Sequence, residues 1–156
     1  MYTVRKYVEI DAGHRVPFHE SKCCNLHGHR YRITAELRAP SLVDPSSRRS
    51  DSGMVMDFGM IKEILMQEIH DPFDHKMILW ERDPLWDAEG FIHALERTGI
   101  APIAVPCIPT AEELADYWAT LFRAELQKRA EEIPIELTLA SLEVRETPTS
   151  TATWYG

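Results

Sequence analysis

Two long alternating runs, each carrying histidine on its apolar side, constrain this chain more than any other feature. From Tyr2 to His14 the even positions are Tyr2, Val4, Lys6, Val8, Ile10, Ala12 and His14, while the odd ones include Thr3, Arg5, Glu9 and Asp11. A period of two is the pattern of a half-buried β-strand. From Leu26 to about Ala39 the odd positions are His27, His29, Tyr31, Ile33, Ala35 and Leu37, with Arg30, Arg32, Thr34, Glu36 and Arg38 between them. His14, His27 and His29 therefore share the inward faces of two strands that follow one another in the chain.

The segment from His14 to His29 holds four of the seven histidines and two of the three cysteines. His-x-His on a strand sets two imidazoles on one face, about 7 Å apart along the backbone, within reach of one ion. An antiparallel partner strand delivers His14 beside them. Three neutral imidazoles leave one tetrahedral position open, the catalytic rather than the structural form of a zinc site. The plainer reading is three satisfied core histidines. Cys23 and Cys24 lie on the connecting loop. A thiol there is either a fourth ligand that closes the site or a nucleophile or base whose thiolate a nearby cation favours, and spacing leaves both open.

Further along, residues 40–53 are turn formers and charges without periodicity, which predicts an exposed hairpin or loop with no chemistry. Asp57 can cap a helix with Phe58, Ile61, Ile64, Leu65 and Ile69 on one face, ended by Asp71-Pro72. Five prolines between Asp71 and Pro109 leave room for one short helix near Ala88 to Arg97. Thr110 and Glu113 read as a capping box that opens a long helix carrying Leu114, Tyr117, Trp118, Leu121, Phe122 and Leu126. After Pro134 a third strand alternates Ile135, Leu137 and Leu139, then Leu142, Val144 and Glu146, the change of parity predicting a bulge near Ala140-Ser141. Thr149 to Tyr155 make the last strand. The order strand, strand, helix, helix, strand, strand is α+β, with helices on one face of an antiparallel sheet and one domain over residues 1–156.

The formal charge of −8 argues against nucleic acid as partner, which needs a basic face. A small anion needs only a local cluster, for which Arg15, Lys22, Arg30 and Arg32 are candidates, although Arg30 and Arg32 look first like an outward strand face. Three cysteines do not make a disulfide framework, and no run has the length or apolarity of a leader or a membrane span. The expectation is a soluble cytoplasmic protein. Asp74-His75 reads as a proton relay or as two polar side chains turned to solvent. Glu146, in register with Leu142 and Val144, either takes a cationic or amidine-like ligand edge or ends its strand in solvent. Thr110 needs no role beyond capping, Glu112 suits a helix dipole, and Cys107 and His93 read as structural.

Six pieces recur together in one known pattern: Ala12-Gly13-His14-Arg15, Lys22-Cys23-x3-His27-Gly28-His29, Gly53-Met54-Val55-Met56-Asp57-Phe58, Asp74-His75, Pro109-Thr110-Ala111-Glu112 and Val144-Arg145-Glu146-Thr147. In this order, over nearly the whole chain, they resemble the 6-pyruvoyl-tetrahydropterin synthase superfamily. The resemblance implies the T-fold: a four-stranded antiparallel sheet with two helices (ββααββ), assembled into an oligomeric barrel with pterin-type ligands at subunit interfaces. It implies His14, His27 and His29 as ligands of Zn2+ and Cys23 as the catalytic thiol. Asp74 and His75 would be the proton relay and Glu146 the pterin anchor, with Thr110 and Glu112 nearby.

The three-residue gap between Cys23 and His27 is similar to the queuosine-pathway branch, the 6-carboxy-tetrahydropterin synthases, whereas pyruvoyl-forming members carry a longer one. That branch implies a lyase that converts 7,8-dihydroneopterin triphosphate to 6-carboxy-5,6,7,8-tetrahydropterin with release of acetaldehyde and triphosphate. Its neighbours are 6-pyruvoyl-tetrahydropterin synthases and related pterin side-chain lyases. A reading of a different class is a zinc-stabilised, non-catalytic binding module with Cys23 as fourth ligand. Two departures from the family pattern are Gly13, where Ala is common, and Glu113, where Asn is usual.

Overall fold

The two alternating runs form the centre of the sheet in a computed structural model that describes residues 1–100 and 102–156. β1 (Tyr2–His14) and β2 (His27–Ala39) pair antiparallel in unbroken register, from Tyr2 opposite Ala39 to His14 opposite His27. β5 (Thr138–Thr147) pairs antiparallel with β2, and β6 (Ser150–Tyr155) with β5. Before them in the chain, β3 (Met77–Trp80) and β4 (Ile103–Val105) add to the free edge of β1 in parallel. The sheet is thus mixed and six-stranded, in the order β4-β3-β1-β2-β5-β6.

This corrects the expected four antiparallel strands. The four long strands and their antiparallel pairing are as expected, and the additional pair comes from the proline-rich segment. Ile78 and Leu79 of β3 are fully buried. A strand buried on both faces reads as a short apolar run rather than an alternation, so it carries no period to detect.

α1 (Phe58–Leu65) starts at Asp57, whose carboxylate accepts the Gly59 N–H at 2.6 Å. It does not end at Asp71-Pro72. The backbone widens into a π turn over Met66–His70 and continues through α2 (Asp71–Phe73). Proline lacks an N–H and its ring crowds the carbonyl one turn back. The wider turn accommodates that, with the Asp71 N–H bonded to the Met66 carbonyl. α3 (Phe91–Arg97) occupies the predicted short-helix position.

α4 (Ala111–Ala130) buries Leu114, Ala115, Trp118, Ala119, Phe122 and Leu126 against the sheet. Thr110 caps it by accepting the Glu113 N–H at 3.3 Å, but the reciprocal half of the capping box is not made, since the Thr110 N–H goes to the Ile108 carbonyl.

One core cluster fills the space between the sheet and these helices. Val8, Ile10 and Ala12 from β1, Tyr31, Ile33, Ala35 and Leu37 from β2, and Leu142 and Val144 from β5 line its floor. Each fully buried aliphatic or aromatic side chain contributes roughly 1.5–3 kcal/mol. The expected bulge is present: Glu36 pairs with Ser141 and Leu37 with Leu139, leaving Ala140 as the extra residue. It restores inward parity, so Leu142, Val144 and Glu146 face the core side. The 40–53 segment is less exposed than expected, since Val43 is wholly buried and Asp51 is held by Arg49 at 2.8 Å.

Among the described residues no helix is long and apolar enough to cross a membrane.

Candidate active site

Antiparallel pairing carries the last residue of β1 to the first of β2, so the strand parities that turn His14, His27 and His29 inward also bring them together. Their rings gather at one end of the core face, tilted or edge-on to one another, with centroids 4.4 Å (His14–His27), 5.2 Å (His14–His29) and 5.0 Å (His27–His29) apart. One ring nitrogen from each lies within 4.8 Å of the others. Among the described residues this is the one group of three or more metal-type donors. Cys23 does not join it as a fourth.

The backbone sets the tautomers. His14 Nδ1 is 2.7 Å from the Pro109 carbonyl and His27 Nδ1 is 2.8 Å from the Asn25 carbonyl. A carbonyl only accepts, so each Nδ1 carries the proton and each Nε2 keeps its lone pair for the cluster. Imidazole held by a backbone carbonyl on one nitrogen is the usual support of a metal-ligating histidine. His14 Nε2 is buried and has no hydrogen-bond partner among the described residues. A metal ion fits this donor set: it would take an orphaned lone pair that nothing else satisfies.

Burial lowers the His14 pKa to about 4, with His27 and His29 adding to the effect and the Pro109 hydrogen bond opposing it. Burial also lowers that of His29, against the attraction of Glu146. Both rings are therefore neutral near pH 7, as ligation requires. In the metal-free protein the unfolded chain binds a proton at His14 near pH 6.5 that the folded chain refuses until about pH 4. This contribution to stability is complete above pH 6.5 and is lost as pH falls toward 4, at up to about 1.4 kcal/mol per pH unit. Urea midpoints of the chelated protein at pH 7.5 and pH 5.5 measure it, and equal midpoints would refute the burial of a neutral ring.

Two glycines face one another where the strands meet, Gly13 opposite Gly28. A Cβ at Gly28 would lie 2.8 Å from the Ala12 carbonyl oxygen and 3.3 Å from Gly13 Cα, both backbone. At Gly13 it would meet chiefly the Met77 methyl at 2.6 Å, the far end of a flexible chain. Met77 therefore takes the space that an alanine side chain at position 13 would use. Gly28→Ala is expected to cost about 1–3 kcal/mol and to lower metal content by spreading the His-x-His pair, with Gly13→Ala near wild type in both. Thermal unfolding and metal analysis of the two variants check the contrast.

Glu146 does not end in solvent. Its Oε1 lies 3.6 Å from His14 Nε2 and 4.0 Å from His29 Nε2. Cys23 sits half-buried in the 3₁₀ turn Lys22–Cys24, and its carbonyl accepts the Val16 N–H at 2.8 Å, which folds the loop back over the strand ends. Thr110 and the exposed Glu112 open α4, directly after the Pro109 carbonyl that holds His14.

Asp74 and His75 do form a pair, Oδ2 to Nδ1 at 2.8 Å. Asp74 Oδ1 accepts the Asp11 N–H at 2.9 Å. Burial works to raise the Asp74 pKa, but the Asp11 N–H, His75 and His70 together hold it below the usual carboxylate value. His75 adopts φ 58°, a left-handed conformation rare outside glycine, fixed by its N–H to the Asp11 carbonyl at 2.7 Å. The pair stands beside the edge where β1 meets β3, and the His75 side chain is 77% exposed. Among the described residues no hydrogen bond or ion pair links it to the three-histidine cluster.

Three supports have no sequence motif. The Pro109 and Asn25 carbonyls are backbone atoms. Asp83, fully buried, takes Arg15 Nε at 2.9 Å and caps the turn Pro84–Trp86, tying the inserted segment to the residue after His14. Asp83-Pro84 is legible as a turn start, but its partner is not. Tyr31 was visible on the inward parity and had no role assigned; its ring packs edge-on against His14 and His29.

Comparison with known proteins bears on this arrangement. A family model described as 6-pyruvoyl tetrahydropterin synthase matches residues 3–156. A Rickettsia felis 6-carboxy-5,6,7,8-tetrahydropterin synthase is 39% identical over 83 residues, 53% of this chain and 55% of that protein. The chain thus spans about half the length of the rickettsial relatives it matches. The Haemophilus influenzae 6-carboxy-5,6,7,8-tetrahydropterin synthase is 30% identical over 151 residues, 96% of each chain. Among solved structures, an uncharacterized protein from Wolinella succinogenes superposes with a TM-score of 0.74 at 24% identity, covering 99% of this chain and 97% of that one. The Caenorhabditis elegans 6-pyruvoyl tetrahydropterin synthase gives 0.64 at 23% identity over 99% and 95%. These two likenesses speak for the fold alone.

Proposed function

The chain belongs to the 6-pyruvoyl tetrahydropterin synthase family, and from that premise we propose that it is the lyase that forms 6-carboxy-5,6,7,8-tetrahydropterin. Its substrate in this reading is 7,8-dihydroneopterin triphosphate, which with one water gives the 6-carboxy product, acetaldehyde and triphosphate. The observation that carries the proposal is the convergence of one ring nitrogen from each of His14, His27 and His29 within 4.8 Å, with no fourth donor in the group. The relatives that match over most of their length bear the 6-carboxy name. One domain spanning residues 1–156 does the work.

His14, His27 and His29 would hold zinc, which supplies Lewis acidity toward side-chain oxygens when bound. Cys23 takes the proton from the side-chain carbon next to the pterin ring, and His75, oriented by Asp74, relays protons to and from the reacting atoms. Glu146 accepts the two donors of the amino-pyrimidine edge, a charge-assisted pair, with Thr110 and Glu112 at the same end of α4. In this reading an oligomeric barrel completes the sites between copies, since among the described residues no hydrogen bond or ion pair joins Asp74–His75 to the cluster within one chain. Three free cysteines suit a reducing, cytoplasmic setting.

Incubation of the zinc-loaded protein with 7,8-dihydroneopterin triphosphate tests the assignment. Equal yields of acetaldehyde and the 6-carboxy product are expected. A 6-pyruvoyl product without acetaldehyde would move the protein to the other branch, and no consumption of substrate would remove the enzymatic reading.

A further inference from the structure

Tyr31 is fully buried, and its hydroxyl has no hydrogen-bond partner among the described residues. An unpaired buried hydroxyl costs about 1–3 kcal/mol, a penalty that phenylalanine would avoid with the same packing. The register of β2 and β5 shows which group stands next to it. Arg32 opposite Arg145 is the last pair of the β2–β5 ladder, and the residues that follow it on the two strands are Tyr31 and Glu146, whose carboxylate reaches the same two imidazoles that the Tyr31 ring packs against. Cross-strand neighbours of this kind have Cβ atoms about 5 Å apart, close enough for a phenol and a carboxylate to meet. A phenol O–H is a donor and a carboxylate only accepts, so the two groups are complementary. Glu146, for its part, lies within 4.0 Å of two ligand nitrogens, and an untethered carboxylate so placed would compete for the open coordination position of a bound metal.

We propose that Tyr31 is a positioning residue whose hydroxyl donates a hydrogen bond to Glu146, keeping that carboxylate off the metal and turned toward the amino-pyrimidine edge of the ligand. The role rests on the functional reading above. Tyr31 in this role acts through Glu146, so its loss acts on ligand binding rather than on the chemical step.

Tyr31→Phe, alone and combined with Glu146→Gln, tests this. In the single variant KM for 7,8-dihydroneopterin triphosphate is expected to rise about tenfold with kcat nearly unchanged. Zinc affinity, measured by chelator competition, is expected to stay equal or increase as Glu146 is released toward the metal. In the Glu146→Gln background, adding Tyr31→Phe is expected to change kcat/KM little, because the two residues act as one unit. An unchanged KM in the single variant, the same tenfold loss in the Glu146→Gln background, or loss of zinc from Tyr31→Phe would each overturn the proposal while leaving the enzyme assignment intact. Wild-type protein that consumes no dihydropterin would instead overturn the functional reading, and the positioning role with it.

Discussion

Cys23→Ala is expected to remove turnover of 7,8-dihydroneopterin triphosphate while leaving metal content at the wild-type level. General acid-base groups contribute about 10²–10⁴-fold, and a thiol that starts the reaction belongs at the upper end of that range. The metal is expected to stay because the three imidazoles form the candidate donor group without the thiol. The loop stays because its link to the strand end is the Cys23 carbonyl on the Val16 N–H, which the substitution leaves in place. Cys24→Ala, one residue on, is expected to retain activity. Product analysis together with metal analysis of both variants reads the outcome. A Cys23→Ala protein that is metal-free and unfolded would make the thiol a structural ligand and end the catalytic assignment.

His14→Ala has the largest expected effect on the folded state. Its ring is almost wholly buried, and its removal opens a cavity and strips the Pro109 carbonyl of its donor. A loss of about 2–4 kcal/mol is expected from these two causes in metal-free protein, before the contribution of metal binding is counted. Metal binding is expected to fall below detection and turnover with it. His27→Ala, in a half-buried position, is expected to lose the metal as fully with a smaller fall in metal-free stability. Urea unfolding with and without chelator separates the two contributions. Stoichiometric, tightly held metal in His14→Ala would refute the three-imidazole site.

The strands that build the site were legible because half-buried antiparallel strands write their burial into alternate residues. β1 and β2 fall where the alternation puts them, β1 at the same ends and β2 within one residue. Even the bulge at Ala140 shows as a change of parity between Leu139 and Leu142. β3 and β4 have four and three residues and pair in parallel across a long insertion, so neither period nor proximity marks them. The passage of the helix through Pro72 was hidden for another reason: proline's local preference is to stop a helix, and a π turn overrides it. Within the site, the inward direction of the three histidines was readable. The approach of Glu146 to two of them was not, because it depends on the register between β2 and β5. The Asp74–His75 pairing rests on a left-handed backbone at His75, which no neighbouring glycine announces.

One hydrogen bond joins sites that are far apart in the chain. His14 offers Nε2 to the cluster and Nδ1–H to Pro109, 95 residues away, immediately before the cap of α4. A cation on Nε2 would draw electron density from the ring and strengthen Nδ1–H as a donor to the Pro109 carbonyl, the residue just before the Thr110 cap. Thermodynamic linkage makes such an effect reciprocal. Whatever a ligand gains at the mouth of α4 from a loaded cluster, the cluster gains in affinity from the ligand. His14 is thereby a shared wall between the cluster and the start of α4, one ring with a nitrogen on each side.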